Sequence, residues 1–341
     1  MRFLRWLRPH FFGSRSGKPD ISNPYIKHHY EGGVELAVMM LWAYEHSRDP
    51  AILRKWALPW CESLLRFYDL HYPKHPNGTI FLQHAQSCET WPDCTNPAAQ
   101  VAALHRIGQA LVALPPGLVT GGQRAFFARI ASSLPAIPLT TASNGQLQVS
   151  PCAGGFPQRH VNGENVETYA IWPYEYFATN RSAAIEAAFP LAVGANTFAN
   201  VHFGHGNSAW RYDGQDAALL GQADYAWDFL QQRVLHQGHC DASRFRGYLA
   251  SDAGDGAPQV ESNGIVAATL QKMLLQTDGS RILLFPAFVR GVDVDLQLRV
   301  PGFGGERESA VLRVVTKAGE ISFLGVTPES RRRDVVVLEL Q

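Results

Sequence analysis

Glu89 stands within the stretch Gln-His-Ala-Gln-Ser-Cys-Glu-Thr-Trp-Pro-Asp-Cys-Thr-Asn-Pro at 83–97, two residues before Trp91 and ahead of Asn96-Pro97. A carboxyl held against a ring suits sugar chemistry, because burial against an aromatic face keeps the acid protonated near neutral pH. Loops carried on rigid elements are also where binding and catalytic groups concentrate. The same spacing fits a capping loop with a solvated Glu89, and spacing alone leaves both readings open.

A second carboxylate, Glu261, lies in Pro258-Gln259-Val260-Glu261-Ser262-Asn263-Gly264, just ahead of an apolar helix expected over 264–276. Glycoside hydrolysis with inversion needs such a pair, an acid for the leaving oxygen and a base for water, roughly 6.5–9.5 Å apart. Between the two, Asn165, Glu167, Tyr169 and Trp172 gather hydrogen-bonding groups and rings that could grip a sugar's hydroxyls and cover its apolar face. An N-cap followed by a core aromatic cluster accounts for them equally well. Trp210 precedes Asp213 and Asp216, which read as first-turn acids complementing a helix dipole rather than as catalytic groups.

Other chemistries find less support. None of the thirteen histidines falls in a metal-binding pattern, and no Cys/His zinc spacing occurs, so neither metal nor cofactor is expected. There is no Gly-x-Ser-x-Gly nucleophile turn and no phosphate-cradling glycine loop. Five scattered cysteines read as core thiols, with a Cys88–Cys94 bridge as the alternative in an exported protein. Zero formal net charge disfavours nucleic acid or an anionic membrane as partner, and no apolar run is long enough to span a bilayer. The 341 residues carry 18% charged and 11% aromatic side chains, a balance suited to an enzyme with aromatic-lined clefts.

Helical periodicity positions these groups. Glu31–His46 repeats apolar residues at Val34, Val38, Leu41 and Trp42. Asp49-Pro50 opens a second helix that Pro59 should kink. A strand is expected at Thr79–Leu82, with Asn96-Pro97 capping a helix over 97–113. Further helices are expected from Gln123 to Ser133 and near 183–199, 214–235 and 264–276. From about 281 the pattern turns to strands: Ile282–Phe285, Val292–Val300, Ala310–Val315, Ile321–Val326 and Val335–Leu340. The expected architecture is mainly α, with hairpins of an (α/α)6-toroid-like array over 23–280. An N-terminal linker (1–22) precedes it and a small antiparallel β domain (281–341) follows. Met1–Phe12 lacks the apolar run and cleavage site of a signal peptide.

Asn23-Pro24-Tyr25-Ile26, Glu31-Gly32-Gly33-Val34-Glu35-Leu36, Gln86-Ser87-Cys88-Glu89-Thr90-Trp91, Gln259–Gln276 and Ile282–Ala287 follow one another as in glycoside hydrolase family 95-like proteins. The chain resembles the C-terminal half of the catalytic barrel of those α-L-fucosidase-related enzymes, together with their β tail. The resemblance implies inverting hydrolysis of an α-linked fucoside or galactoside. Glu89 would be the general acid and Glu261, where the family has Asp, the water-activating base. Trp91, Asn96, Asn165, Glu167, Tyr169, Trp172, Trp210 and Asn263 would bind substrate. It also implies a family that is usually exported and a missing N-terminal half as a partner. The alternative is a truncated, inactive carbohydrate-binding or structural remnant.

Overall fold

The computed structural model describes residues 27–141, 145, 147–155, 157, 166–176, 212–231, 233–234, 260–278, 281–300 and 309–338. The N-terminal linker, the helix expected near 183–199, Asn165, Trp210 and Cys240 lie outside them.

Helix α1 (Glu31–Ser47) buries Val34, Ala37, Val38, Leu41 and Tyr44 along one face, as the apolar spacing requires. Arg48 ends it in the left-handed region at φ 56°, its N–H donating to the Tyr44 carbonyl. Asp49 then accepts the Ala51 N–H at 2.8 Å, with Pro50 in the first turn of α2 (Pro50–Ile52). The kink expected at Pro59 takes another form. Leu53–Ala57 winds as a π-helical turn before α3 (Leu58–His71), and the Leu58 N–H reaches back to the Leu53 carbonyl. Pro59 cannot donate to the carbonyl four residues before it, and the wider turn absorbs that mismatch.

Strand pairing at Thr79–Leu82 is reduced to a single bridge, Lys74 to Ile80. The pairing that does form lies further on, as a hairpin of β1 (Ala85–Ser87) and β2 (Trp91–Cys94). Helix α4 (Ala98–Val112) follows, buried on nearly every side. Its start carries no side-chain cap. Asn96 instead accepts the Leu82 N–H through Oδ1 at 2.9 Å and donates its own N–H to the Leu82 carbonyl at 2.8 Å. Helix α5 (Gly121–Ser133) begins two residues earlier than expected, because Thr120 and Gln123 form a capping box. Gly108 lets α5 approach α4, since a Cβ there would meet Ala131 Cβ at 3.1 Å.

A short hairpin, β3 (Leu139–Thr141) with β4 (Leu147–Val149), leads to Cys152, which is bonded to Cys94. That pairing rules out the Cys88–Cys94 bridge and removes Cys94 and Cys152 from the core thiols, whereas Cys61 is a buried free thiol as expected. The hairpin register sets Cys94 opposite Ala85, at the end away from the turn that holds Cys88. Two backbone bonds, Ala98 N–H to Pro151 O and Ala153 N–H to Thr95 O, bring the Cys152 segment alongside instead.

A 3-10 turn, Val166–Ala170, carries Glu167 and Tyr169. The helix expected over 214–235 is two, α6 (Asp213–Leu219) and α7 (Ala223–Gln231), parted at Gly221 with φ 74°. They pack at glycine distance: a Cβ on Gly214 would lie 2.3 Å from the Phe229 ring. Helix α8 (Val260–Leu274) starts four residues sooner than expected, placing Glu261 inside its first turn rather than before it.

Helix α8 runs directly into β5 (Leu275–Asp278), so strand structure starts before 281. β5 pairs with β6 (Arg281–Leu284), and β10 (Val335–Val337) joins β6 in parallel rather than antiparallel. The Gln276 amide holds this sheet to α6 through the Ala218 carbonyl, at 2.7 Å. A separate antiparallel meander comprises β7 (Asp295–Val300), β8 (Ala310–Lys317) and β9 (Glu320–Thr327). Its first strand alternates as expected, exposing Asp295, Gln297 and Arg299. One apolar core runs from Val34 through Val326, joining a helical region to a small β region.

Candidate active site

Helices α1, α6 and α8 meet with the segment after the 3-10 turn around a cleft of about 400 Å³. Its walls are Glu35, Val38, Met39 and Trp42 from α1, then Trp172, Pro173 and Tyr174. Tyr212, Gln215 and the Gly264–Ile265–Ala268 face of α8 complete it. Trp42 and Trp172 stack with ring centroids 5.3 Å apart, and Lys272 Nζ sits 5.0 Å from the Trp172 ring. Polar groups are few, as suits a site that binds through rings and a small number of placed hydrogen bonds.

Glu35 is one of them, and burial raises its carboxyl above the usual range. A raised pKa favours the protonated form, which can donate a hydrogen bond as well as accept one. Gln215 is 2% exposed, and its carbonyl oxygen has no hydrogen-bond partner among the described residues. That acceptor is costly to leave unmet unless something else meets it.

Behind the rings lies a set of buried acids. Glu31, 1% exposed, accepts the Cys88 N–H through Oε2 at 2.8 Å and the Tyr174 hydroxyl through Oε1 at 2.9 Å. It therefore ties the β1–β2 turn to a ring that lines the cleft. Asp213 and Asp216 take the first-turn positions expected of them on α6, and both are buried there. Burial pushes the Asp216 carboxyl well above its ordinary value, and the charges of Asp213 and Glu167 add to this. The Thr168 side chain and Trp172 N–H pull the other way, yet neither completes a hydrogen bond to either Asp216 oxygen.

The sequence-derived candidates are spread over the cleft, the buried acids, the hairpin turn and α8. Trp172 lines the cleft, and Tyr169 lies just behind it, its ring 5.6 Å from that of Tyr212. Glu167 is buried among the acids. Glu89 is half-buried in the hairpin turn and Trp91 half-buried on β2. The turn sits one side chain from the cleft, through Glu31 and Tyr174. Cys88 Sγ also lies 3.9 Å from the Tyr169 hydroxyl. Asn263 is half-buried on α8, one residue before the cleft-lining Gly264, while Glu261 is placed only by its backbone in the same first turn. Asn96 serves the loop by pairing with Leu82.

Glu35, Gln215 and Tyr212 were missed as site residues. Glu31 and Glu35 stand four apart on one helix face, where two like charges disfavour an isolated helix. That repulsion is the signal that could have found them. Gln215 carries none, because only tertiary packing buries it. No protein-family model matches the chain, and no curated protein matches it in sequence.

Proposed function

We propose that the chain is a carbohydrate-processing protein of the inverting glycosidase type, built on an (α/α)6-toroid-like array. In this reading it acts on an α-linked fucoside or galactoside. The observation that carries it is the cleft itself. Stacked tryptophans and two tyrosines offer faces to a sugar ring, while Glu35 and Gln215 offer hydrogen bonds to its hydroxyls. Helices distant in sequence contribute facing side chains to one opening, as in sites built between packed helices.

Glu89 protonates the departing glycosidic oxygen, and Glu261 takes a proton from the attacking water on the opposite face. The half-buried setting of Glu89, in a turn tied through Glu31 to the cleft-lining Tyr174, supports its part. The position of Glu261 in the first turn of α8, three residues before Gly264, supports the second. Glu35, its carboxyl raised by burial, hydrogen-bonds the sugar and takes no part in bond breaking. An aryl α-L-fucoside and α-L-galactoside screen tests the reading. Hydrolysis is expected from the wild type, and Glu89→Gln and Glu261→Gln should each lower the rate by about 10²–10⁴-fold. Hydrolysis that survives Glu89→Gln would remove it as the acid. Sugar binding without turnover would point to a carbohydrate-binding remnant.

A further inference from the structure

We infer that His29, Glu31 and Cys88 form a binding site for a divalent metal ion of the zinc class. An imidazole nitrogen, a carboxylate oxygen and the Cys88 sulfur lie within 4.8 Å of one another. Zinc holds such ligands at about 2.0–2.3 Å, so the three donors need only draw in by about 1 Å around an ion. Sulfur and nitrogen donors beside a single carboxylate select a borderline-soft metal over magnesium or calcium, which take oxygen donors.

Both segments are already laced together. The His28 carbonyl accepts the Gln86 N–H at 3.3 Å, and Glu31 Oε2 accepts the Cys88 N–H at 2.8 Å. The Tyr174 hydroxyl donates to Glu31 Oε1 at 2.9 Å, the sort of outer hydrogen bond that orients a ligating carboxylate. Glu31 is buried, whereas His29 and Cys88 are half-buried, which gives an ion a way in. The ligands come from the start of α1 and from a turn 57 residues later, which is why no sequence motif announces them. Three protein ligands leave a fourth position for water, the open pattern of reactive zinc centres. Binding deprotonates the Cys88 thiol, its proton passing to solvent. The ion also anchors the turn whose next residue is Glu89, and the site holds whether or not the glycosidase reading does.

The test uses the full chain, stripped with a chelator and titrated with Zn²⁺ against a chromogenic competitor, and separately with Co²⁺. One equivalent of Zn²⁺ is expected, and Co²⁺ should give a thiolate-to-metal charge-transfer band. Cys88→Ser should abolish that band and weaken Zn²⁺ binding by more than about tenfold. His29→Gln, at a half-buried position, should weaken binding similarly. Tyr174→Phe should weaken it by about tenfold while keeping the band. Cys61→Ser should change neither, because Cys61 is buried and its thiol is pushed up to about 12 by desolvation. Absence of stoichiometric binding, or a band that survives Cys88→Ser, would overturn the site.

Discussion

Asp69 and Asp216 are the same side chain in opposite settings. Asp69, near the end of α3, accepts from Arg129 Nη2 at 2.7 Å and Nη1 at 3.1 Å, and pairs with Lys74. The Arg129 hydrogen bonds, with Lys74 assisting, hold its carboxyl down at about 2. Asp216 has acids for neighbours, and burial drives it the other way. The outer helical face also pairs Glu62 with Arg66 and Gln123. On the cleft side, Glu35 is raised by burial alone. Paired charges at the periphery answer to solubility and modest stability. Acids gathered under low dielectric do not serve stability, and such perturbed groups beside a cleft mark a functional site.

The most disruptive way to break this contrast is to move the acids apart. Gly214→Val would drive a side chain into the Phe229 ring and lift α6 from α7. Overpacking of this kind costs about 1–3 kcal/mol, measurable by urea unfolding. Next, Asp216→Asn should stabilise the protein at pH 8 by roughly 1–2 kcal/mol, since it removes a buried, poorly paired carboxylate. The wild-type carboxyl titrates higher folded than unfolded. Its contribution is therefore whole below the unfolded pKa and is lost as pH rises through the raised folded value. Thermal melts across pH should show that decline in the wild type and not in the variant.

Asp69→Asn should do the reverse, costing about 1 kcal/mol at pH 7, because solvent at the periphery screens the pair. Its folded pKa lies below the unfolded one. That stability is present above the unfolded value and disappears as pH falls from about 4 towards 2. Smallest of all, sugar affinity should fall a few-fold as pH rises through the raised Glu35 pKa, and Glu35→Gln should flatten the dependence. Calorimetric titration at several pH values checks it.

What the sequence made legible follows from locality. The α1 stripe, the Asp49-Pro50 start and the β7 alternation depend on neighbours a few residues away, and each appears in the fold. Trp172 was legible as a ring beside polar groups. Contacts between distant segments were not. Cys94 meets Cys152 across 58 residues because backbone bonds align their loops. Asp213 and Asp216 stand in the first turn of α6, as their spacing implied, but their burial, where α6 packs against α7 and α8, has no local signal. Asn96 looked like a cap because its type and the following proline fit one, yet Leu82 takes its side chain.

Calorimetric titration with L-fucose and D- and L-galactose tests the central claim, that the cleft between α1, α6 and α8 is where this protein meets its ligand. Trp172→Ala, in the cleft, is compared with Trp56→Ala outside it, a residue 63% exposed. Saturable binding lost by at least about tenfold in Trp172→Ala and unchanged in Trp56→Ala is the predicted result, as expected for a stacking ring. Equal binding by both variants, or no binding of any of these sugars by the wild type, would contradict it.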